Sequence, residues 1–384
     1  MHDSQLRLEA LRSLSRLGFR SRSRRQIMDQ VTVESALAAW LAAALHSLQE
    51  FGSKTELDVL RDALQHAFAE TRGRILLLLS FAYDSQAMLR AHAALEQTSG
   101  AHSALALETV DAQLPPAAKP LVLPLLEDLS HETRLKRWRG VGLSAPEATL
   151  ELILRELIRG RPQDLYAPWL RMCAMQAAVL LNLGSCTSPI EKLSDDSDPL
   201  VREMSRWSLQ CLTAPATVSG GARMLSPVER VLILKSAPLF ADTPDNVLAE
   251  LAGLVEEVGL DEGQVVFNKG DQGDSLYVVV SGLVKVWDGD RLLNELSDGE
   301  AFGELALLDP EPRLATVKAS EPTRLLRLEQ AHFREVLDSQ PEVSAAILRV
   351  VTRYLRGQLQ YARDVSAKLR ALESFGFIDP SVAS

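Results

Sequence analysis

Cysteine is scarce. Cys173, Cys186 and Cys211 stand far apart in 384 residues and form no CxxC pair, which excludes a disulfide framework and a zinc knuckle and fits a reducing cytosol. Cys173 and Cys211 sit in apolar helical patterns and are expected to be buried. Long apolar runs are missing too. The longest, residues 36–45 and 75–79, fall well short of the roughly 20 residues a spanning helix needs, and the start lacks the apolar core of a signal peptide. A soluble, cytoplasmic chain is the expectation. Positive charge is in deficit: 41 Lys and Arg face 51 Asp and Glu, a formal charge of -10, which argues against a nucleic-acid binder working through overall charge. The seven histidines show no HExxH or other metal-ligand spacing, and no Walker A or GxSxG motif occurs. An enzyme, a metal site and a bound cofactor are therefore not expected.

Glycine is sparse only in the first half. Eight glycines precede residue 214, and another eight fall between Gly259 and Gly303, a density typical of tight turns between short strands. The length suits about two or three domains. Residues 214–224 have no apolar period and are read as a linker.

The first half, residues 1–213, is helical by period. Apolar residues recur every three or four positions in Leu6, Leu8, Leu11, Leu14 and Leu17; in Leu57, Leu60, Leu64 and Phe68; in Leu121, Leu125 and Leu129; and in Leu150, Ile153, Leu154 and Leu157. Interruptions are read at residues 98–101, at Leu114-Pro-Pro116 and at residues 184–189. A faint repeat links residues 3–14, 168–177 and 198–209. In each, an arginine (Arg7, Arg171, Arg202) follows an apolar residue, and small residues stand three and six positions later. This resembles HEAT-like repeats, whose stacked helix pairs bury each other's apolar faces; an irregular helical domain is the plainer alternative.

The second half changes period. Residues 275–281, 283–287, 291–296, 315–319 and 324–328 are short, β-branched or alternating, and Asp288-Gly289 marks a hairpin. They imply a small antiparallel barrel or sandwich of jelly-roll type, so the fold class is a multidomain α+β chain. Helices are expected to flank it over residues 227–235, 244–258, 330–337 and 342–373, before a tail, 374–384. In the last of these, Leu348, Val351, Leu355 and Leu359 could be a dimer seam or only part of a lid.

One stretch carries chemistry. Between Gly299 and Val317 the chain leaves a strand, turns at Gly303, makes one helical turn through Glu304 to Leu308, and returns to a strand near Ala315. Free amides after the glycine suit a phosphate, and Arg313 is a five-donor fork matched to phosphate oxygens. The carboxylate of Glu304 makes sense beside them if it accepts a hydrogen bond from a sugar hydroxyl of the same ligand.

Phe302-Gly-Glu-Leu-Ala-Leu-Leu308 followed by Pro312-Arg-Leu-Ala-Thr-Val317 resembles the phosphate-binding cassette of cyclic nucleotide-binding domains, the family that includes the regulatory subunits of cyclic-AMP-dependent protein kinase, the bacterial catabolite activator protein and cyclic-nucleotide-gated channels. With the turn at residues 269–275 and the nine-residue interval from Glu304 to Arg313, the likeness extends over about residues 225–365, and the domain is placed at 225–373. The resemblance implies that Glu304 holds the ribose 2′-hydroxyl and Arg313 the cyclic phosphate. It also implies that the backbone of Gly303, Leu305, Ala306 and Ala315 completes the cradle beside Phe302. Leu314 stands where a Ser or Thr often favours cyclic GMP, so the resemblance leans toward cyclic AMP. Its lid residue should fall near Tyr354, with Leu355 and Gln358 beside it; Tyr354 could equally only pack the helix. A docking module without ligand is the competing function.

Helices ahead of such a sensor look similar to the cytosolic region of some bacterial transporter-like proteins related to ATP/ADP carriers, which implies an upstream membrane domain or partner as a possibility. A catabolite-activator-like DNA-binding segment is not expected after residue 373. Finally, residues 16–25 hold five arginines. Either an anionic membrane surface or acidic partner meets them, or they form a solvated loop between the first two helices.

Overall fold

The computed structural model describes residues 4–51, 57–96, 100–143, 149–160, 168–213, 223–241, 243–308 and 311–339, and singly Thr352, Arg356, Gln360 and Arg363. Two compact units divide the chain, Met1–Gly220 and Gly221–Ser384. Of the expected linker, residues 214–222 lie outside the described residues.

The first unit is helical: α1 Ser4–Arg16, α2 Arg24–Glu50, α3 Asp58–Ser80, α4 Ser85–Glu96, α5 Gly100–Gln113, α6 Lys119–Leu126, α7 His131–Arg139, α8 Leu150–Arg159, α9 Pro168–Leu180, α10 Thr187–Glu191 and α11 Pro199–Thr213. Local chemistry sets several ends. The Ser23, Ser130 and Thr149 hydroxyls accept from the third amide of α2, α7 and α8, and Gly160 ends α8 at φ 68°.

Helix α3 is central, touching α1, α2, α4, α6 and α9. Its last turns, Gly73 to Ser80, are buried all round, as a helix apolar on every face must be. The exception is Arg74, 1% exposed, whose Nε lies 3.2 Å from Oε2 of the fully buried Glu34 on α2 while Nη2 donates to Thr71 Oγ1 at 2.8 Å. Helix α2 itself is long and apolar enough by composition to cross a membrane, although residues 36–45 alone are short; 67% of its apolar window is buried inside the protein.

The three segments of the faint repeat each fall on one helix: α1, α9 and α11. In α9 the small residues Ala174 and Ala177 are buried, as are Ser205 and Ser208 in α11, and the two helices pack together. Arg171 Nη1 meets Asp196 Oδ2 at 3.1 Å, and Arg202 donates to the Asp196 and Ser197 carbonyls. In α1, Ala10 is only half-buried and Ser13 is exposed.

Several expectations need correction. Helix α6 stops at Leu126, before Leu129, because Glu127 turns extended (ψ 146°) ahead of the Ser130 cap. Residues 184–189 are a 3₁₀ turn, Gly184–Cys186, running into α10, since a proline in a first helical turn loses no hydrogen bond. Cys173 and Cys186 are buried, whereas Cys211, expected to be buried, is half-buried.

The second unit begins with α12 Pro227–Ser236, opened by a reciprocal capping box between Ser226 and Glu229, and α13 Asp245–Ala252. Eight strands follow, β1 Glu256–Leu260, β2 Val265–Phe267, β3 Ser275–Ser281, β4 Val284–Asp288, β5 Arg291–Leu296, β6 Ala301–Phe302, β7 Thr316–Ala319 and β8 Thr323–Glu329; α14 Leu305–Leu308 lies between β6 and β7, and α15 Gln330–Ser339 closes the series. Of the two arrangements expected, they form two sheets rather than a closed barrel. All pairs are antiparallel, in two four-stranded sheets ordered β1-β8-β3-β6 and β2-β7-β4-β5. Val279, Val284, Leu296, Phe302, Val317 and Leu325 form their shared core. Gly289 and Asp290 make the two-residue β4–β5 turn.

The helix expected over 244–258 ends at Ala252. Its distal part becomes β1, registered with β8 from Glu256↔Arg327 to Leu260↔Thr323; this long-range ladder outweighs a local helical pattern. Thr352, Arg356, Gln360 and Arg363 are helical and exposed, at spacing that puts them on one face. Otherwise the expected final helix, including Leu348, Val351, Leu355 and Leu359, lies outside the described residues.

Removing Glu34 takes the nearest counter-charge from the buried Arg74 and leaves it Glu70 Oε2 at 3.9 Å. Glu34→Ala is expected to lower unfolding free energy by about 3–5 kcal/mol in urea titrations, and Glu34→Leu with Arg74→Met to recover most of that loss.

Candidate functional site

The site assembles where β2, β3, β6 and α14 meet the segment before β7. Gly303 follows β6 with φ +76°, a region that glycine enters without strain. The reason for glycine is also steric, because a Cβ there would lie 2.5 Å from Arg313 Nη1 and 3.0 Å from the Ser275 carbonyl oxygen. Gly273 is similar, since a Cβ at that position would meet the Glu311 carbonyl oxygen at 2.8 Å. The backbone therefore closes tightly on one guanidinium.

Arg313 is 8% exposed. Its own backbone is pinned on both sides: the Arg313 amide donates to the Asp271 carbonyl and its carbonyl accepts from Gly270, each at 2.8 Å, while Gly273 donates to Glu311 at 3.2 Å. The guanidinium carbon sits 4.1 Å from the Phe267 ring centroid and 5.9 Å from that of Tyr277, and Nη2 donates to the Ser275 carbonyl at 2.8 Å. Phe267, Tyr277 and Phe302 pack against each other, with Tyr277 and Phe302 stacked at 5.2 Å and 11° as cross-strand partners. Among the described residues no carboxylate pairs with Arg313, and its Nε is buried with no hydrogen-bond partner. Burial pushes the guanidinium below the ordinary arginine value, with Tyr277 and Asp274 partly opposing. The result is an ordered cation held by aromatic faces and one carbonyl, with a donor to spare.

A cavity of about 220 Å³ opens beside it, lined by Phe302, Gly303, Glu304, Ala306, Arg313, Leu314 and Ala315, with Phe267, Val286, Glu311, Pro312 and Val317. Glu304 is half-buried on the same wall; Leu314 is 74% exposed at the mouth. Leu305 opens α14. The Ala306 amide already donates to the Gly303 carbonyl at 3.1 Å, so it closes the turn as well as facing the cavity wall. Tyr354, Leu355 and Gln358 lie outside the described residues. Sequence reasoning does not single out Phe267, Tyr277 or the Ser275 carbonyl. Their only signal is position, on either side of the glycine-rich turn at 269–275.

The family model described as the cyclic nucleotide-binding domain matches residues 257–340. This chain carries a cyclic nucleotide-binding domain. A CRP-like cAMP-activated global transcriptional regulator of Mycobacterium tuberculosis is 33% identical over 129 residues, which is 32% of this chain and 58% of that protein. A cAMP-dependent protein kinase regulatory subunit of Yarrowia lipolytica is 34% identical over 153 residues, covering 38% of this chain and 41% of that one. Among solved structures, the N-terminal domain of a transcriptional regulator from Streptomyces coelicolor is 39% identical, covers 34% of this chain and 94% of that one, and has a TM-score of 0.32. This chain spans less than two thirds of those two curated relatives. The cavity around Arg313 falls wholly inside the matched residues.

Within this domain Gly303→Ala must move Arg313 or the turn. It is expected to destabilise the protein by about 1–3 kcal/mol, read as a lower melting temperature, whereas Gly289→Ala, which meets nothing within 4 Å but keeps φ 58°, should lose less.

Proposed function

We propose that this protein is a regulatory sensor that binds cyclic AMP and passes the event to its helical unit. The observation that carries it is the buried Arg313, its Nε without a hydrogen-bond partner, on the wall of the cavity. An uncompensated buried cation is unfavourable, and a phosphate monoanion matched to its fork removes that penalty. Glu304 on the same wall is assigned the ribose 2′-hydroxyl. The exposed, hydroxyl-free Leu314 at the mouth favours cyclic AMP over cyclic GMP, and Tyr354 with Leu355 and Gln358 is assigned the lid. The relatives' names, one cAMP-activated and one a regulatory subunit, support regulation rather than catalysis.

The output begins at α14. Gln330 Nε2 donates to the Leu307 carbonyl at 3.4 Å, and the Gln330 amide to the Asp274 carbonyl at 2.7 Å, so the first residue of α15 grips both α14 and the residue that leads into β3. Ligand that tightens α14 shifts α15 and the helix beyond it, limited by the ligand's affinity difference between the two positions. The helical unit is assigned a HEAT-like role, supported by the buried small residues of α9 and α11. An upstream membrane domain or a second copy of the chain is the proposed recipient.

Titration calorimetry on the full chain tests this. Cyclic AMP should bind more tightly than cyclic GMP, and Arg313→Met should weaken it by about 2–5 kcal/mol without a comparable loss of ligand-free stability. Heat from neither nucleotide leaves the domain a docking module and overturns the sensor.

A further inference from the structure

Residues 10–28 hold Arg12, Arg16, Arg20, Arg22, Arg24 and Arg25 and no Asp or Glu, in a chain of net charge -10. So strong a local reversal of sign is not a by-product of composition, and the cassette makes no use of it.

The structure divides these arginines by task. Arg20 Nη1 donates to the carbonyls of Ser80, at 3.2 Å, and Tyr83, and the Arg24 guanidinium lies 5.6 Å from the Tyr83 ring centroid. The Ser21 amide donates to the Phe81 carbonyl at 3.0 Å, and the Phe19 ring meets Phe81 edge-on at 5.4 Å. These contacts staple the α1–α2 loop to the end of α3. Arg16, Arg22 and Arg25 are exposed, and among the described residues none of the three has an ion-pair partner.

Apolar groups stand among them. Leu17 is 83% exposed, Phe19 45% and Leu14 37%. Gly18, at φ +69°, turns the chain there, with its amide bonded to Ser15 and that of Phe19 to Leu14, so Leu17 is displayed by an ordered turn. A fixed loop thus presents cations and an apolar tip on the same short stretch of chain.

We infer that this loop docks on the anionic surface of a lipid bilayer. A phosphate polymer would satisfy the arginines but offers nothing to Leu17. A bilayer supplies both, with anionic headgroups for Arg16, Arg22 and Arg25 and an interface into which Leu17 can dip. The stapling by Arg20 means that little loop ordering remains to oppose binding.

Co-sedimentation of the full chain with phosphatidylcholine vesicles, with and without phosphatidylglycerol, tests it. Binding should require phosphatidylglycerol and be released at roughly 0.5 M salt. Replacing Arg16, Arg22 and Arg25 together by Gln should weaken it on the order of a hundredfold, at about fivefold for each arginine near such a surface. Leu17→Gln should weaken it several-fold with the melting temperature unchanged. No sedimentation, equal sedimentation with both vesicles, or full binding by the triple variant overturns the inference. So does a Leu17→Gln protein that binds like the parent, because the loop is then a polyanion site rather than a bilayer anchor.

Discussion

A guanidinium sealed in protein, with no paired carboxylate among the described residues, is the condition around which the β unit is arranged. Arg313 keeps its place only because Gly303 and Gly273 leave room, Phe267 and Tyr277 offer ring faces, and the Ser275 carbonyl takes one proton. They come from β2, from β3, from the turn between those strands and from the turn after β6. The two-sheet topology brings β2, β3 and β6 to one point, and the backbone bonds between residues 270–273 and 311–313 hold the arginine there.

A still more deeply buried arginine shows what the alternative looks like. Arg74 lies in the helical core against the fully buried Glu34, with Thr71 taking a further donor. There charge is answered by charge, and the pair serves architecture. At Arg313 no described carboxylate closes an ion pair, and ring faces and one carbonyl hold the cation instead. Gln330 ties α14 to α15, whose Phe333 lies 6.5 Å from Phe240 in the core.

Legibility follows the range of the determining contact. Strands β3, β4, β5, β7 and β8 are visible in the sequence because each is β-branched or alternating and ends at its own turn residues. Strand β1 reads as helix, since Glu256 and Glu257 spoil its alternation and pairing with β8 decides its state. Strand β6 is two residues long and exists only as the partner of Tyr277 and Val278. Phe302, Gly303, Glu304, Ala306, Arg313, Leu314 and Ala315 belong to a contiguous motif and line one cavity, whereas Phe267 is 46 residues away from Arg313 and no local pattern marks it.

By itself, the amino-acid sequence determined the division into a helical and a β half, the glycine turns, the Glu304 and Arg313 spacing, and the cluster of arginines between residues 12 and 25. Those are written in neighbouring residues, through helical and strand periods and the conformational freedom of glycine. Tertiary structure alone decided that the strands form two sheets, that Arg313 meets aromatic rings and a carbonyl rather than a counter-ion among the described residues, and that Arg20 is a staple while Arg16, Arg22 and Arg25 face solvent. Such outcomes depend on which groups meet across long stretches of chain, and desolvation makes a charge costly or useful only once its surroundings are assembled.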